Sequence, residues 1–136
     1  MLGQINIVST PIGNLKDITL RAIETLKSVD LILAEDTRVA KKLLQSFSIK
    51  NNLESFSEIN EDSKNERLIE KLKQGNSIAI ISDAGTPLIS DPGYKLIRCA
   101  RQENIKITPV PGCTAVIASL SASGISTDKF TFLGFL

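Results

Sequence analysis

The chain has 136 residues, 42% of them hydrophobic and 23% charged, with 16 Lys and Arg against 15 Asp and Glu for a formal net charge of +1; a domain of this length buries roughly 65–70% of its unfolded surface and needs no disulfide or metal to hold a core. It has no His and only two Cys, Cys99 and Cys113, which excludes Ser-His-Asp and Cys-His nucleophile pairs, a structural zinc site and the disulfide framework of a small secreted domain. A charge this near zero excludes a wholesale polyelectrolyte binder, so any nucleic-acid contact falls to a local patch or to residues beyond this chain.

In chain order, Met1-Leu2-Gly3-Gln4 lacks the basic and long apolar regions of a signal peptide, and no apolar run approaches the ~20 residues that span a bilayer. The expected location is therefore cytoplasmic, away from any membrane. Ile5 to Val8 reads as a strand buried on both faces, followed by the loop Ser9-Thr10-Pro11-Ile12-Gly13-Asn14. Ile18, Ala22, Leu26 and Val29 then fall at helical spacing behind Asp17 as the expected N-cap. A second strand, Leu31 to Ala34, runs into Glu35-Asp36-Thr37-Arg38, with a helix from Thr37 to about Phe47. Leu53 to Phe56 is a weaker strand, and Leu68, Ile69 and Leu72 form a helical face ended by Gly75.

Ser77 to Ser82 is the next strand, and Asp91-Pro92 predicts a cap and first helical position for a helix from about Gly93 to Glu103. Ile105 to Val110 is another strand, turning through Pro111-Gly112-Cys113-Thr114 into a helix that runs from Thr114 to about Ser121 and stops near Gly124. The last seven residues, Phe130 to Leu136, hold three of the five Phe. They read as a terminal strand, expected to open a second domain whose remainder is absent, because an apolar strand without a covering helix leaves an exposed edge. The expected division is 1–120 for an N-terminal α/β domain and 121–136 for a linker and that first strand.

Strands alternating with helices predict an α/β fold, a mostly parallel sheet with helices on both faces and right-handed crossovers. Ligands in such sheets sit beyond the carboxyl ends of the strands, where the unusual loops collect. Ser82 to Gly93 contains two Asp, two Gly and two Pro, stiff and with backbone open to a ligand. Glu35, Asp36 and Arg38 read either as a helix cap with a local ion pair or as a polar wall facing a substrate. Lys16, Arg21, Arg38, Lys41 and Lys42 form a cationic cluster that a solvated face explains more simply than an anionic partner. Nothing spells a dinucleotide fingerprint or a phosphate-binding P-loop, and Cys113 reads as a packing residue because no base stands ready to activate it.

Thr10-Pro-Ile-Gly-Asn-Leu-Lys-Asp-Ile-Thr-Leu-Arg-Ala, Ala34-Glu-Asp-Thr-Arg, Ser82-Asp-Ala-Gly-Thr-Pro-Leu-Ile-Ser-Asp-Pro-Gly and Val110-Pro-Gly-Cys-Thr-Ala together resemble the ribosomal RNA small subunit methyltransferase I family. That family belongs to the tetrapyrrole methylase, or class III methyltransferase, superfamily. The resemblance runs from Ile5 to the end and departs at Cys113, where the family has Pro, and at Thr114, where it has Ser. It implies transfer of a methyl group from S-adenosyl-L-methionine to the ribose 2′-hydroxyl of a cytidine in small-subunit (16S) ribosomal RNA, on the 30S subunit. It also implies a chain about twice this length, two domains with the cofactor between them, and a homodimer, with no metal.

With that cofactor implied, Pro11, Gly13, Asp83, Ala84, Gly85, Thr86, Pro87, Thr114 and Ala115 are assigned to it. Glu35 and Asp36 are the candidates for accepting the hydroxyl proton, with Arg38 positioning a phosphate. The other readings are methylation of a tetrapyrrole carbon and a non-catalytic cofactor-binding remnant. A receiver-like signalling domain built on Asp83 gives the Gly-Thr-Pro loop no role.

Overall fold

A computed structural model describes residues 1–135. Five strands, β1 (Gln4–Val8), β2 (Leu31–Ala34), β3 (Leu53–Ser55), β4 (Ser77–Ile81) and β5 (Lys106–Val110), form one sheet in the order β3-β2-β4-β1-β5. Every pairing is parallel, with Ile5 of β1 level with Ile78 of β4 and Ile107 of β5. Five helices accompany them: α1 (Leu20–Ser28), α2 (Thr37–Ser46), α3 (Glu61–Lys73), α4 (Tyr94–Gln102) and α5 (Ala115–Ala122). The α/β architecture expected from the alternation is the one observed.

The central strands are apolar in both directions because both faces are covered. Ala79 and Ile81 of β4 join Ala22 and Leu26 of α1 and Ala40 and Leu44 of α2 in one core, while Ile78 and Ile80 join Leu68 and Leu72 of α3 and Leu96 and Ala100 of α4 in the other. Thus the connections leaving β1 and β2 run over one face and those leaving β3 and β4 over the other. β1 and β4 are neighbours whose chains depart to opposite faces, so their carboxyl ends flank a topological switch point, where a crevice must open.

Three helix starts differ from the sequence reading. Asp17 does not cap α1: it closes a single 3-10 turn, Leu15–Asp17, and Thr19 Oγ1 accepts from Ala22 N at 3.0 Å instead. Asp91 and Pro92 do not open α4, whose N-cap is Gly93 at φ +122, a conformation that L side chains rarely adopt and a position where an added Cβ would lie 2.4 Å from Leu88 Cδ2. The cap comes from another helix: the buried Glu61, at the start of α3, accepts from Lys95 N at 3.0 Å and Leu96 N at 3.2 Å through Oε1. Thr114 precedes α5 as expected, but its hydroxyl makes no capping hydrogen bond.

The end of the chain also differs. Residues 130–135 form no strand, and Phe130, Phe132, Leu133 and Phe135 are exposed, Phe135 by 91%. They do not add to β5, which stays at the sheet edge. Leu136, the last residue of the expected strand, lies outside the described residues. The helix before this tail, α5, buries none of its residues although Val116, Ile117 and Leu120 are apolar.

Replacing Glu61 by Ala removes both charge-assisted bonds from the start of α4 and is expected to cost about 2 kcal/mol. Urea unfolding measures this; an unchanged midpoint would show that the cap carries no stability.

Candidate functional site

The loop after β1 and the loop after β4 are joined across the switch point. Thr10 and Gly85 exchange backbone hydrogen bonds, each 3.0 Å, in an isolated antiparallel bridge. Gly85 holds φ +82, and a Cβ there would stand 3.4 Å from Ile12 Cγ2, so the bridge needs glycine for its conformation more than for space. Ser82 Oγ reaches the carbonyls of Ala84 and Gly85 at 3.2 and 3.3 Å, tightening the same turn.

The β5 loop is tied to this pair by a chain of hydroxyls. Thr86 Oγ1 donates to the Cys113 carbonyl at 2.9 Å. Because that bond uses the one proton of Thr86, Ser9 Oγ must be the donor in its 2.8 Å contact with Thr86 Oγ1. Ser9 N also donates to the Val110 carbonyl at 3.2 Å. Three sequence-distant loops are therefore held in one arrangement by bonds that end on backbone.

The assigned cofactor residues divide by what the structure does with them. Gly85 and Pro87 are buried and Thr86 is the hydroxyl hub, so these three shape the loops. Asp83 and Ala84 are exposed beside them, and Asp83 enters no ion pair among the described residues. Thr114 and Ala115 sit where the β5 loop enters α5, next to the Cys113 carbonyl that Thr86 holds. Pro11, Gly13 and Asp83 line a groove of about 470 Å³ whose opposite wall is Val39, Lys42, Leu43 and Ser46 of α2. The chemistry fits a zwitterionic, hydroxyl-bearing small molecule: an anionic side chain, a free hydroxyl and open backbone lie on a rim stiffened by its own bonds.

The acidic residues after β2 carry two different burdens. Asp36 caps α2 by accepting from Arg38 N at 2.9 Å and holds the Arg38 guanidinium through Nε at 3.2 Å and Nη2 at 3.0 Å. Those bonds hold its carboxyl down at about 2. Glu35 is pushed the other way, first by partial burial and then by the negative charges of Asp83, Asp91, Glu58 and Asp36. Asp91 is raised too, by burial and by Asp83, against an opposing hydrogen bond from Ser82. Glu35 and Asp91 line one small cavity with Phe56, Pro87 and Pro92, so the loop expected to offer a helix cap instead brings a second acid toward Glu35.

The sequence reading places Ser9 and Thr10 in these loops without a role, takes Asp91 only as a helix cap and, as part of a cationic cluster, singles out only Lys42 of the α2 face. Its signal was present, since Val39, Lys42, Leu43 and Ser46 are spaced to share one helix face. A wider hollow of about 530 Å³ lies at the other end of the sheet, lined by Asp30, Asn51, Asn52 and Arg67 among others. Its polar groups serve the fold: Asn51 Nδ2 donates to the Leu26 and Val29 carbonyls, Asp30 accepts from Ser77, and Arg67 pairs with Glu54. Among the described residues no group of three or more His, Cys, Asp or Glu is placed to hold a metal ion, and no helix is long and apolar enough to cross a membrane.

Comparison with known proteins gives a consistent picture. Residues 4–135 match the family model of tetrapyrrole (corrin/porphyrin) methylases. The chain is 54% identical over 136 residues to ribosomal RNA small subunit methyltransferase I of Haemophilus influenzae, covering 100% of this chain and 48% of the relative. It is 54% identical over 134 residues to the protein of that name from Escherichia coli O157:H7, covering 98% and 47%. The chain thus spans about half the length of the curated relatives it matches. Among solved structures, the uroporphyrin-III-C-methyltransferase of Thermus thermophilus superposes with a TM-score of 0.68 at 24% identity, covering 93% of this chain and 55% of that one. A diphthine synthase gives 0.75 at 16%, covering 95% and 52%; both show the fold.

A carboxyl whose folded-state pKa is raised contributes stability in acid and loses it as the pH climbs through the folded value. Ionised Glu35 and Asp91 therefore destabilise the fold at neutral pH. Glu35→Gln and Asp91→Asn are each expected to raise the melting temperature at pH 7, with the gain vanishing below the ordinary carboxylate range. A melting temperature lowered at pH 7 by both substitutions would contradict this.

Proposed function

The chain belongs to the tetrapyrrole methylase family, and from that premise we propose that it is the cofactor-binding portion of a cytoplasmic enzyme that methylates small-subunit ribosomal RNA. The methyl donor is S-adenosylmethionine and the acceptor is a cytidine ribose 2′-hydroxyl. The observation that carries the reading is the binding together of the β1, β4 and β5 loops at the switch point by the Thr10–Gly85 bridge and the Ser9–Thr86–Cys113 chain. The 54% identity to proteins named for ribosomal RNA favours that substrate over a tetrapyrrole carbon, for which the named structure is 24% identical.

A sulfonium methyl is already an activated electrophile, so what the cofactor supplies when bound is a methyl carbon ready for in-line displacement. The chain's own contribution is placement, which contributes on the order of 7–11 kcal/mol in well-oriented reactions. Pro11 and Gly13 face the groove and offer backbone, Asp83 offers a carboxylate to the cofactor's hydroxyl or ammonium groups, and Ala84 and Ala115 leave room for a flat base. Gly85, Thr86 and Pro87 keep these groups in place, and Thr114 adds a hydroxyl that its helix does not use.

The acceptor hydroxyl must lose its proton as the carbon–oxygen bond forms and the carbon–sulfur bond breaks. Glu35 is the better suited of the two acids to receive it, because partial burial and then its acidic neighbours raise its proton affinity while Asp36 is held at about 2. Asp36 acts with Arg38, fixing an exposed guanidinium that presents its remaining donors to a phosphate. The exposed apolar α5 and the Phe-rich tail form the joint to a second domain that closes the cleft and completes a homodimer.

Calorimetric titration of this chain with S-adenosylhomocysteine is expected to show saturable binding, weakened about tenfold or more by Asp83→Ala, as expected when a charge-assisted hydrogen bond is lost. Equal affinity of the variant would remove Asp83 from the site. In a full-length relative, the substitution matching Glu35→Gln is expected to slow single-turnover methylation of small subunits about 10²-fold or more. A normal rate would take the proton acceptor away from Glu35.

A further inference from the structure

The groove between the β1–α1 loop and α2 has a polarity that cofactor binding does not use. Leu15, Val39 and Leu43 make its floor apolar, although Leu15 and Val39 are 50% and 39% exposed. Asp83 stands among its lining residues and links it to the candidate cofactor loops, and Lys42 is the cation of the opposite wall. Lys16 and Lys41 lie one residue from lining residues, Leu15 and Lys42, and are exposed. None of the three lysines joins an ion pair among the described residues, whereas Arg38 on the same helix is held by Asp36. An apolar floor with a free cationic edge is the complement of a nucleotide, whose base has an apolar face and whose linkage is an anion.

We propose that this groove seats single-stranded RNA, one base lying on the Val39, Leu43 and Leu15 surface while Lys42 grips a flanking phosphate. The direction follows from charge: Asp83 repels phosphate, so the linkage faces the lysines and the sugar faces Asp83 and the transfer site. The dimensions favour a strand over a duplex, because about 470 Å³ admits roughly one nucleotide and a duplex turns its base faces inward, away from any such floor. The spacing of Val39, Lys42, Leu43 and Ser46 explains how one short helix carries both parts of the contact while Ala40 and Leu44 remain in the core. This inference rests on the RNA-methylating reading above and assigns its substrate a place.

The test is fluorescence anisotropy of the 136-residue chain with a labelled single-stranded ribo-oligonucleotide, over a range of salt concentrations. Lys42→Glu is expected to weaken binding about tenfold and to flatten the slope of log affinity against log salt by roughly 0.7. Val39→Glu, which removes floor without removing a cation, is expected to weaken binding similarly. Lys27→Glu, an equal charge change near the last turn of α1, is expected to stay within about twofold of wild type. The proposal is overturned if wild type does not bind, if Lys42→Glu and Val39→Glu bind as wild type, or if Lys27→Glu weakens binding equally. Titrating the same samples with S-adenosylhomocysteine separates the two readings. Cofactor binding with any of those negative RNA results removes the groove alone, whereas Lys42-sensitive RNA binding without cofactor binding supports the groove and removes the methyl-transfer reading.

Discussion

The structure turns on two neighbouring strands whose chains leave in opposite directions. β1 hands its chain to the α1 and α2 face and β4 to the α3 and α4 face, so no helix can cover both carboxyl ends and the crevice between them is a consequence of connectivity. The Thr10–Gly85 bridge spans this opening, and it joins the ends of two central, mostly buried strands. Everything proposed for the site depends on that one crossing. The β5 loop is drawn in through Thr86, and the groove toward α2 begins at the same Pro11 and Asp83 that flank the bridge.

Rigidity on this rim accompanies an electrostatic cost. Partial burial and the charges of Asp83 and Asp91 raise the proton affinity of Glu35, and burial and Asp83 raise that of Asp91, while none of the three acids joins an ion pair among the described residues. Asp36, one residue along, is neutralised by Arg38. A cluster of acids held together against their repulsion is what a cationic ligand or a proton acceptor requires, and functional sites are where such unfavourable arrangements persist. Meanwhile Lys42 lies on the α2 wall of the groove, across from Asp83, so the two signs of charge stand on opposite walls.

Most of the fold was legible because its periodicities are strong. β1, β2 and β4 are mostly buried and read as continuous apolar runs, whereas β5, an apolar run of the same kind, lies at the sheet edge with Lys106 and Pro109 exposed; Leu68, Ile69 and Leu72 announce α3 at helical spacing. The errors fall where a distant residue overrode a local signal. Asp91-Pro92 is a sound local start for a helix, yet Glu61, about thirty residues upstream, supplies the cap, and nothing in the sequence distinguishes it from an ordinary acidic first-turn residue. The Phe-rich tail carries strand composition but has no neighbouring strand among the described residues. The site loops were legible as motifs, through glycines, prolines and acids at strand ends. Their wiring was not, because Ser9 and Thr86 are common residues until a third loop brings Cys113 within reach.

The central claim is that the β1, β4 and β5 loops act as one cofactor-binding unit. Hydrogen–deuterium exchange of this chain with and without S-adenosylhomocysteine tests it directly. Protection is expected together in residues 9–14, 82–93 and 110–115, with the hollow around Asp30 and Asn51 at the opposite end of the strands unchanged. Protection confined to that opposite end, or to one loop without the other two, would contradict the account.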